Sequence, residues 1–150
     1  MTSMETIKDF VSQKNLAVVG VSRNPRKFGN VIFKELKKKG YNVFPVNNNT
    51  SQIEGELIYT SLDKLPAPAD GVIINVPPEK AKQVVKEAAE QGIKRIWLQR
   101  GSSNKDVLES CQQMGLKYIS GECILMYVEP VESFHKFHRT LRKIFGRLPK

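Results

Sequence analysis

Apolar residues come in short runs that end at glycine or proline, and stretches with helical spacing lie between the runs. Leu16-Ala17-Val18-Val19 stops at Gly20, and residues 41–46 follow Gly40. Gly71-Val72-Ile73-Ile74-Asn75-Val76 is closed by Pro77-Pro78. Arg95-Ile96-Trp97-Leu98 is the fourth run, and Leu116-Lys117-Tyr118-Ile119 follows Gly115. Short, β-branched runs of this kind are what strands buried on both faces of a parallel sheet require. Residues 31–39 read as a helix closed by Lys37-Lys38-Lys39 and Gly40, where cations suit the negative end of the dipole. Residues 79–91 place Ala81, Val84, Val85, Ala88 and Ala89 on one helical face and stop at Gly92. Residues 105–114 follow an N-cap at Ser103 or Asn104.

Three further segments are shorter or less regular. Residues 6–13, with Ile7, Phe10 and Val11 apolar, predict a lead-in helix. Residues 47–68 alternate turn formers with brief apolar pairs; they predict a tight turn at 53–56 and a short helix at 61–66, ended by proline. Near the end, Phe134, Phe137, Leu141 and Ile144 recur every three or four residues, which predicts an amphipathic helix over 131–145. Five strands separated by helices or crossovers predict a single α/β domain: an open, mainly parallel, Rossmann-like sheet with helices on both faces. Such sheets bind ligands at the carboxyl ends of their strands, beside the first strand. Gly20, Asn47, Val76 and Gln99 are all placed at such ends.

Composition narrows the class without choosing a function. At 150 residues, 40% hydrophobic and 26% charged, the chain has the make-up of one folded domain. No apolar run approaches the roughly 20 residues a membrane helix needs. The opening MTSMETIKDF has no basic and apolar signal pattern, and two cysteines make no disulfide framework, so the expected compartment is the cytoplasm. The net charge is +9, and Lys136, Arg139, Arg142, Lys143, Arg147 and Lys150 contribute six positive charges with no acid among residues 135–150. A basic balance attracts nucleic acid, acidic membranes and polyphosphates alike.

The stretch LAVVGVSRNPRKFGN, residues 16–30, carries the most chemistry. A strand, a glycine turn, a loop with Ser22, Arg23, Asn24, Arg26 and Lys27, and a helix N-terminus together make an anion site, because first-turn amides are unpaired and the dipole is positive there. The dinucleotide fingerprint would want glycine where Ser22 and Pro25 stand, and an acid at the end of the second strand, where Pro45-Val46-Asn47 stands. A phosphate-binding loop of the Walker type would want glycine and lysine at Pro25 and Arg26.

Four motifs in order carry a resemblance: Gly20, Ser22, Arg23, Pro25 and Gly29; Pro45-Val46-Asn47; Val76-Pro77-Pro78; and Trp97-Leu98-Gln99 with Gly101. Over residues 7–126 the chain resembles the small CoA-binding proteins similar to the nucleotide-binding domain of the succinyl-CoA synthetase α subunit. The resemblance implies coenzyme A or an acyl-CoA as ligand. It implies that Ser22, Arg23, Lys27 and the amides around Gly20 and Gly29 hold the pyrophosphate, with Phe28 covering part of the ligand. Arg23, Arg26 and Lys27 are then candidates for the 3′-phosphate. Asn47 would lie near the adenosine, although it is also a turn former, and Val76 and Pro77 would rim the ligand while closing a strand. Gln99 can donate to and accept from a pantetheine amide without desolvating a charge.

Trp97 reads as core rather than as a stacking platform. Cys123 reads as a small buried residue, or as a thiol beside that of CoA, and Cys111 as packing. His135 and His138 lack a third partner for a metal. No serine triad, HExxH or CxxC is present and no acid pair is placed at strand ends, so a binding or regulatory module is expected rather than an enzyme. Two alternatives stay open: a subunit of an acyl-CoA ligase or transferase needing a partner chain, and a nucleic-acid-binding protein using the basic helix over 131–145. Homodimerisation through Phe134, Phe137 and Leu141 is another use of that helix.

Overall fold

A computed structural model describes residues 3–24, 26–48, 52–53 and 56–128. In chain order the elements are α1 (Met4–Val11), β1 (Asn15–Val19), α2 (Phe28–Lys38), β2 (Asn42–Val46), β3 (Gln52–Ile53), β4 (Glu56–Leu57), β5 (Gly71–Ile74), α3 (Pro78–Glu90), β6 (Arg95–Leu98), α4 (Lys105–Gln113) and β7 (Lys117–Ser120). The five long strands form one sheet in the order β2-β1-β5-β6-β7, every pairing parallel. After β1 the chain steps to β2 at the edge, then crosses back over β1 to β5. The boundary between β1 and β5 is therefore the switch point, where helices leave in opposite directions and a crevice opens at the strand ends.

Alternation along β1 splits the core in two. Leu16 and Val18 join Ile73, Trp97 and Ile119 on one face, under Ile7 and Phe10 of α1 and Ile32, Phe33 and Leu36 of α2. Ala17 and Val19 join Phe44, Val72, Ile74, Ile96 and Leu98 on the other, under Ala81, Val85 and Ala88 of α3 and Val107 and Cys111 of α4. Each fully buried large side chain contributes about 1.5–3 kcal/mol. Among the described residues no helix is long and apolar enough to cross a membrane.

Three departures from the expected boundaries matter for the site. Helix α2 begins at Phe28, so Phe28, Gly29 and Asn30 make its first turn beside the basic loop. Strand β5 ends at Ile74, and Asn75 and Val76 leave the sheet to face the crevice. The short helix expected at 61–66 is one 3₁₀ turn, Leu62–Lys64. Leu65, which precedes Pro66, is extended at φ −65°, ψ 144°, because a following proline disfavours the helical region. Strands β3 and β4 pair antiparallel; the turn expected between them falls at residues 54–55, outside the described residues. So does the helix expected over 131–145, with His135 and His138.

Opposite the crevice, Arg95 at the start of β6 ties down α1: its Nε donates to Asp9 Oδ2 at 2.8 Å. That hydrogen bond is the largest cause holding the Asp9 carboxyl below its usual range; the charges of Arg95 and Lys117 act the same way and partial burial opposes them. A carboxylate with a depressed folded pKa adds stability above its unfolded value of about 3.9, and that stability is lost as pH falls through the folded value. Asp9→Asn is therefore expected to melt slightly below the parent protein at neutral pH, with the gap closing below about pH 4. Thermal denaturation across that range checks it; a gap independent of pH would mean that Asp9 acts through packing alone.

Candidate functional site

At the carboxyl ends of β1, β2 and β5 the fold leaves a cleft of about 740 Å³, within the range typical of small-molecule sites. Its floor is apolar, from Val19, Val21, Val46, Val76 and Val84. Ser22, Lys27 and Phe28 close one end, Asn47, Asn48, Thr60 and Ser61 one side, and Pro77, Glu79, Lys80, Gln83 and Glu87 of the α3 side the other. The side walls come from elements with little else in common. Tyr59 forms a parallel bridge with Val46, its N–H donating to Pro45 O at 2.9 Å, and this sets Thr60 and Ser61 over the end of β2.

Two glycines let the walls meet. Gly20 has φ +123°, and a Cβ there would run into the Asn75 carbonyl at the end of β5. Gly29 sits in the first turn of α2 with its Cα against the Gly20 carbonyl, where a Cβ has no room. The start of α2 thus lies directly on the β1 turn. Helices α1 and α4 are capped by the Ser3 and Asn104 side chains. The two helices that begin at the cleft, α2 and α3, have no side-chain cap. At α2 that leaves a helix N-terminus flanked by the exposed side chains of Arg23, Arg26 and Lys27, an arrangement that favours an anion.

The loop between them is bonded mostly to itself. The Ser22 hydroxyl accepts from Asn24 N–H at 3.0 Å, and the Asn24 side chain accepts from Arg26 N–H at 3.0 Å. Ser22 N–H donates to Asn30 Oδ1 at 2.7 Å, and Gly20 N–H to Val46 O at 3.4 Å. Those two amides, expected to face a pyrophosphate, are used within the fold. Asn47 lines the cleft, but its Nδ2 reaches back to Val21 O at 2.5 Å. Asn30, 3% exposed, was not singled out by the sequence. Its signal was an amide three residues before Phe33 on the buried side of α2.

The cleft gathers Gly20, Ser22, Lys27, Phe28, Asn47, Val76 and Pro77. Gln99 is not among its lining residues. It is 3% exposed, its Nε2 donates to Cys123 Sγ at 3.6 Å and its Oε1 accepts from Ile124 N–H at 2.9 Å. The Gln99 amide joins the end of β6 to residues 123–124, a use its strand-end position did not disclose. Cys123 packs in the core under α1 and α2. Cys111 is on the buried face of α4, and burial pushes its thiol up to about 11. Trp97 is fully buried, edge-on to Phe10 at 5.3 Å, with Nε1 donating to Glu122 O at 2.9 Å.

A profile of the CoA-binding domain family matches residues 14–129, the whole sheet and both walls of the cleft. The chain belongs to the CoA-binding domain family. Among relatives of this CoA-binding domain is the α subunit of an ADP-forming acetate–CoA ligase II from Pyrococcus furiosus, 30% identical over 126 residues. The match takes in 77% of this chain but only 28% of that subunit. The uncharacterized protein YneT of Bacillus subtilis is 28% identical over 123 residues, covering 81% of this chain and 91% of YneT. A solved structure of a conserved hypothetical protein from P. furiosus superposes with a TM-score of 0.70 at 41% identity, over 74% of this chain and 96% of that one.

Proposed function

We propose that this CoA-binding domain holds coenzyme A, free or acylated, in the cleft at the β1–β5 switch point, as a binding or regulatory module. The observation that carries the reading is the uncapped start of α2, which rests through Gly29 on the Gly20 carbonyl. It is flanked by Arg23, Arg26 and Lys27 and opens into an apolar-floored cleft. Lys27 and Arg23 take the pyrophosphate with the first turn of α2, and the three basic side chains compete for the 3′-phosphate. Phe28, 38% exposed at the mouth, covers part of the ligand. Val76 and Pro77 supply the rim. The absence of an acid after β2 favours CoA over NAD, whose ribose diol such an acid would hold.

Calorimetric titration with CoA, 3′-dephospho-CoA and NAD tests this. CoA is expected to bind more tightly than 3′-dephospho-CoA, and NAD not measurably. Arg23→Ala and Lys27→Ala are each expected to weaken CoA by about tenfold, the range of a charge-assisted hydrogen bond. Removal of residues 135–150 is expected to leave CoA affinity unchanged; if it abolished binding, the basic tail and not the cleft would be the site. Equal affinity for NAD and CoA would overturn the reading. The ligase α subunit relative favours a second reading, in which the domain works as part of a ligase assembly with a partner chain. CoA-dependent association with a ligase-type partner subunit, seen in size-exclusion chromatography, would support it.

A further inference from the structure

We propose that Asn30 and Asn47 act together as a brace that presets the backbone of the anion loop before any ligand arrives. The inference rests on reading the cleft as the CoA site, but the geometry is independent of it. One peptide plane, between Val21 and Ser22, is held at both of its polar ends. Its carbonyl accepts from Asn47 Nδ2 at 2.5 Å and its N–H donates to Asn30 Oδ1 at 2.7 Å. Asn30 Nδ2 then donates to the next carbonyl, Ser22 O, at 2.8 Å.

The two asparagines arrive from different elements. Asn30 lies in the first turn of α2 and Asn47 just beyond β2, where its own N–H donates to Tyr59 O at 2.9 Å. A neutral amide suits position 30, where an ionised side chain does not. It must accept from an N–H and donate to a C=O of the same residue, which a carboxylate or an ammonium cannot do. A carboxylate there would also set a negative charge behind the basic loop. With the plane fixed, the peptide cannot flip, and the direction of the chain through Arg23 toward Lys27 is set in the free protein. These are positioning residues. Their contribution to affinity is the difference between a loop always in its binding form and one that visits it for a fraction of the time, which divides directly into the apparent affinity.

The test combines CoA titration with amide hydrogen exchange at residues 21–24, on the parent protein, Asn30→Ala, Asn47→Ala and the double variant, below each melting temperature. Each single variant is expected to lose about tenfold in CoA affinity and to exchange faster in the loop, with protection restored when CoA is bound. Because both side chains hold one plane, the double variant is expected to lose clearly less than the product of the two single losses. A role confined to stability would lower the melting temperature and leave affinity unchanged, which would overturn the proposal. So would a loss of affinity with loop exchange unchanged, since the asparagines would then be touching the ligand. If Asn30→Ala does not fold, Asn30→Ser and Asn47→Ala carry the same comparison. If the parent protein binds no CoA, the function assigned to the cleft fails, and loop exchange alone decides the brace: faster in the variants supports it, unchanged overturns it.

Discussion

Gly20→Ala is expected to lower the melting temperature by about 10 °C and to abolish binding in the cleft. Two costs add at this position. A φ of +123° is one that an alanine rarely adopts, a strain of about 1–3 kcal/mol. The new Cβ would also be driven against the carbonyl oxygen and carbon of Asn75. These are backbone atoms at the end of β5 and cannot rotate aside, so β1 and β5 must separate at the switch point; overpacking of this kind costs about 1–3 kcal/mol more. Gly40→Ala is the internal control. It too has positive φ, +96°, but nothing lies within 4 Å of its Cβ position. The difference between the two variants isolates the close approach from the backbone strain. If both lowered the melting temperature equally, the contact between the β1 turn and Asn75 would be worth nothing.

Trp97→Ala is expected to cost about 3–5 kcal/mol, enough to leave a large share of molecules unfolded in a domain of ordinary stability. The ring is fully buried in the layer under α1 and α2, against Phe10 and Tyr127. Removing it leaves a cavity beneath α1 and takes away the Nε1 hydrogen bond to the Glu122 carbonyl. Trp97→Phe restores most of the apolar contact and loses the hydrogen bond, so it is expected to fall between the parent and the alanine variant, with CoA affinity preserved. Urea unfolding followed by circular dichroism measures the loss. Trp97 is the only tryptophan in the chain, so its fluorescence reports unfolding and should be unmoved by CoA. A large emission change on adding CoA to the folded parent protein would mean that the ring senses the ligand after all.

The three residues from Trp97 to Gln99 show how far residue type alone can be trusted. Trp97 and Leu98 are in the two core layers, on opposite faces of β6, as strand alternation requires. Gln99 follows directly after the strand, and its polarity pointed to a ligand. The protein instead turns it inward, because residues 123–124 follow β7 closely enough to offer an N–H that needs an acceptor. A buried amide with both ends bonded is as good a reason for glutamine as a pantetheine would be.

Hydrophobic period, glycine and proline stops and the run of basic residues determined by themselves that this chain makes five parallel strands, which helices cover them, and that a basic, donor-rich loop follows β1. Those properties depend on local pattern: a run apolar on both faces must be covered on both, and covered parallel strands need crossovers. Tertiary structure alone decided which amides of the loop are used within the fold, that Gly20 and Gly29 serve close approach, and that the Asn30, Asn47 and Gln99 side chains bond groups inside the fold, Asn30 and Asn47 the backbone at 21–22 and Gln99 the Ile124 N–H and the Cys123 sulfur. A hydrogen-bond partner at position 21, 22 or 124 belongs to whichever distant element the register brings within 3 Å. Residue type states only that a partner must exist.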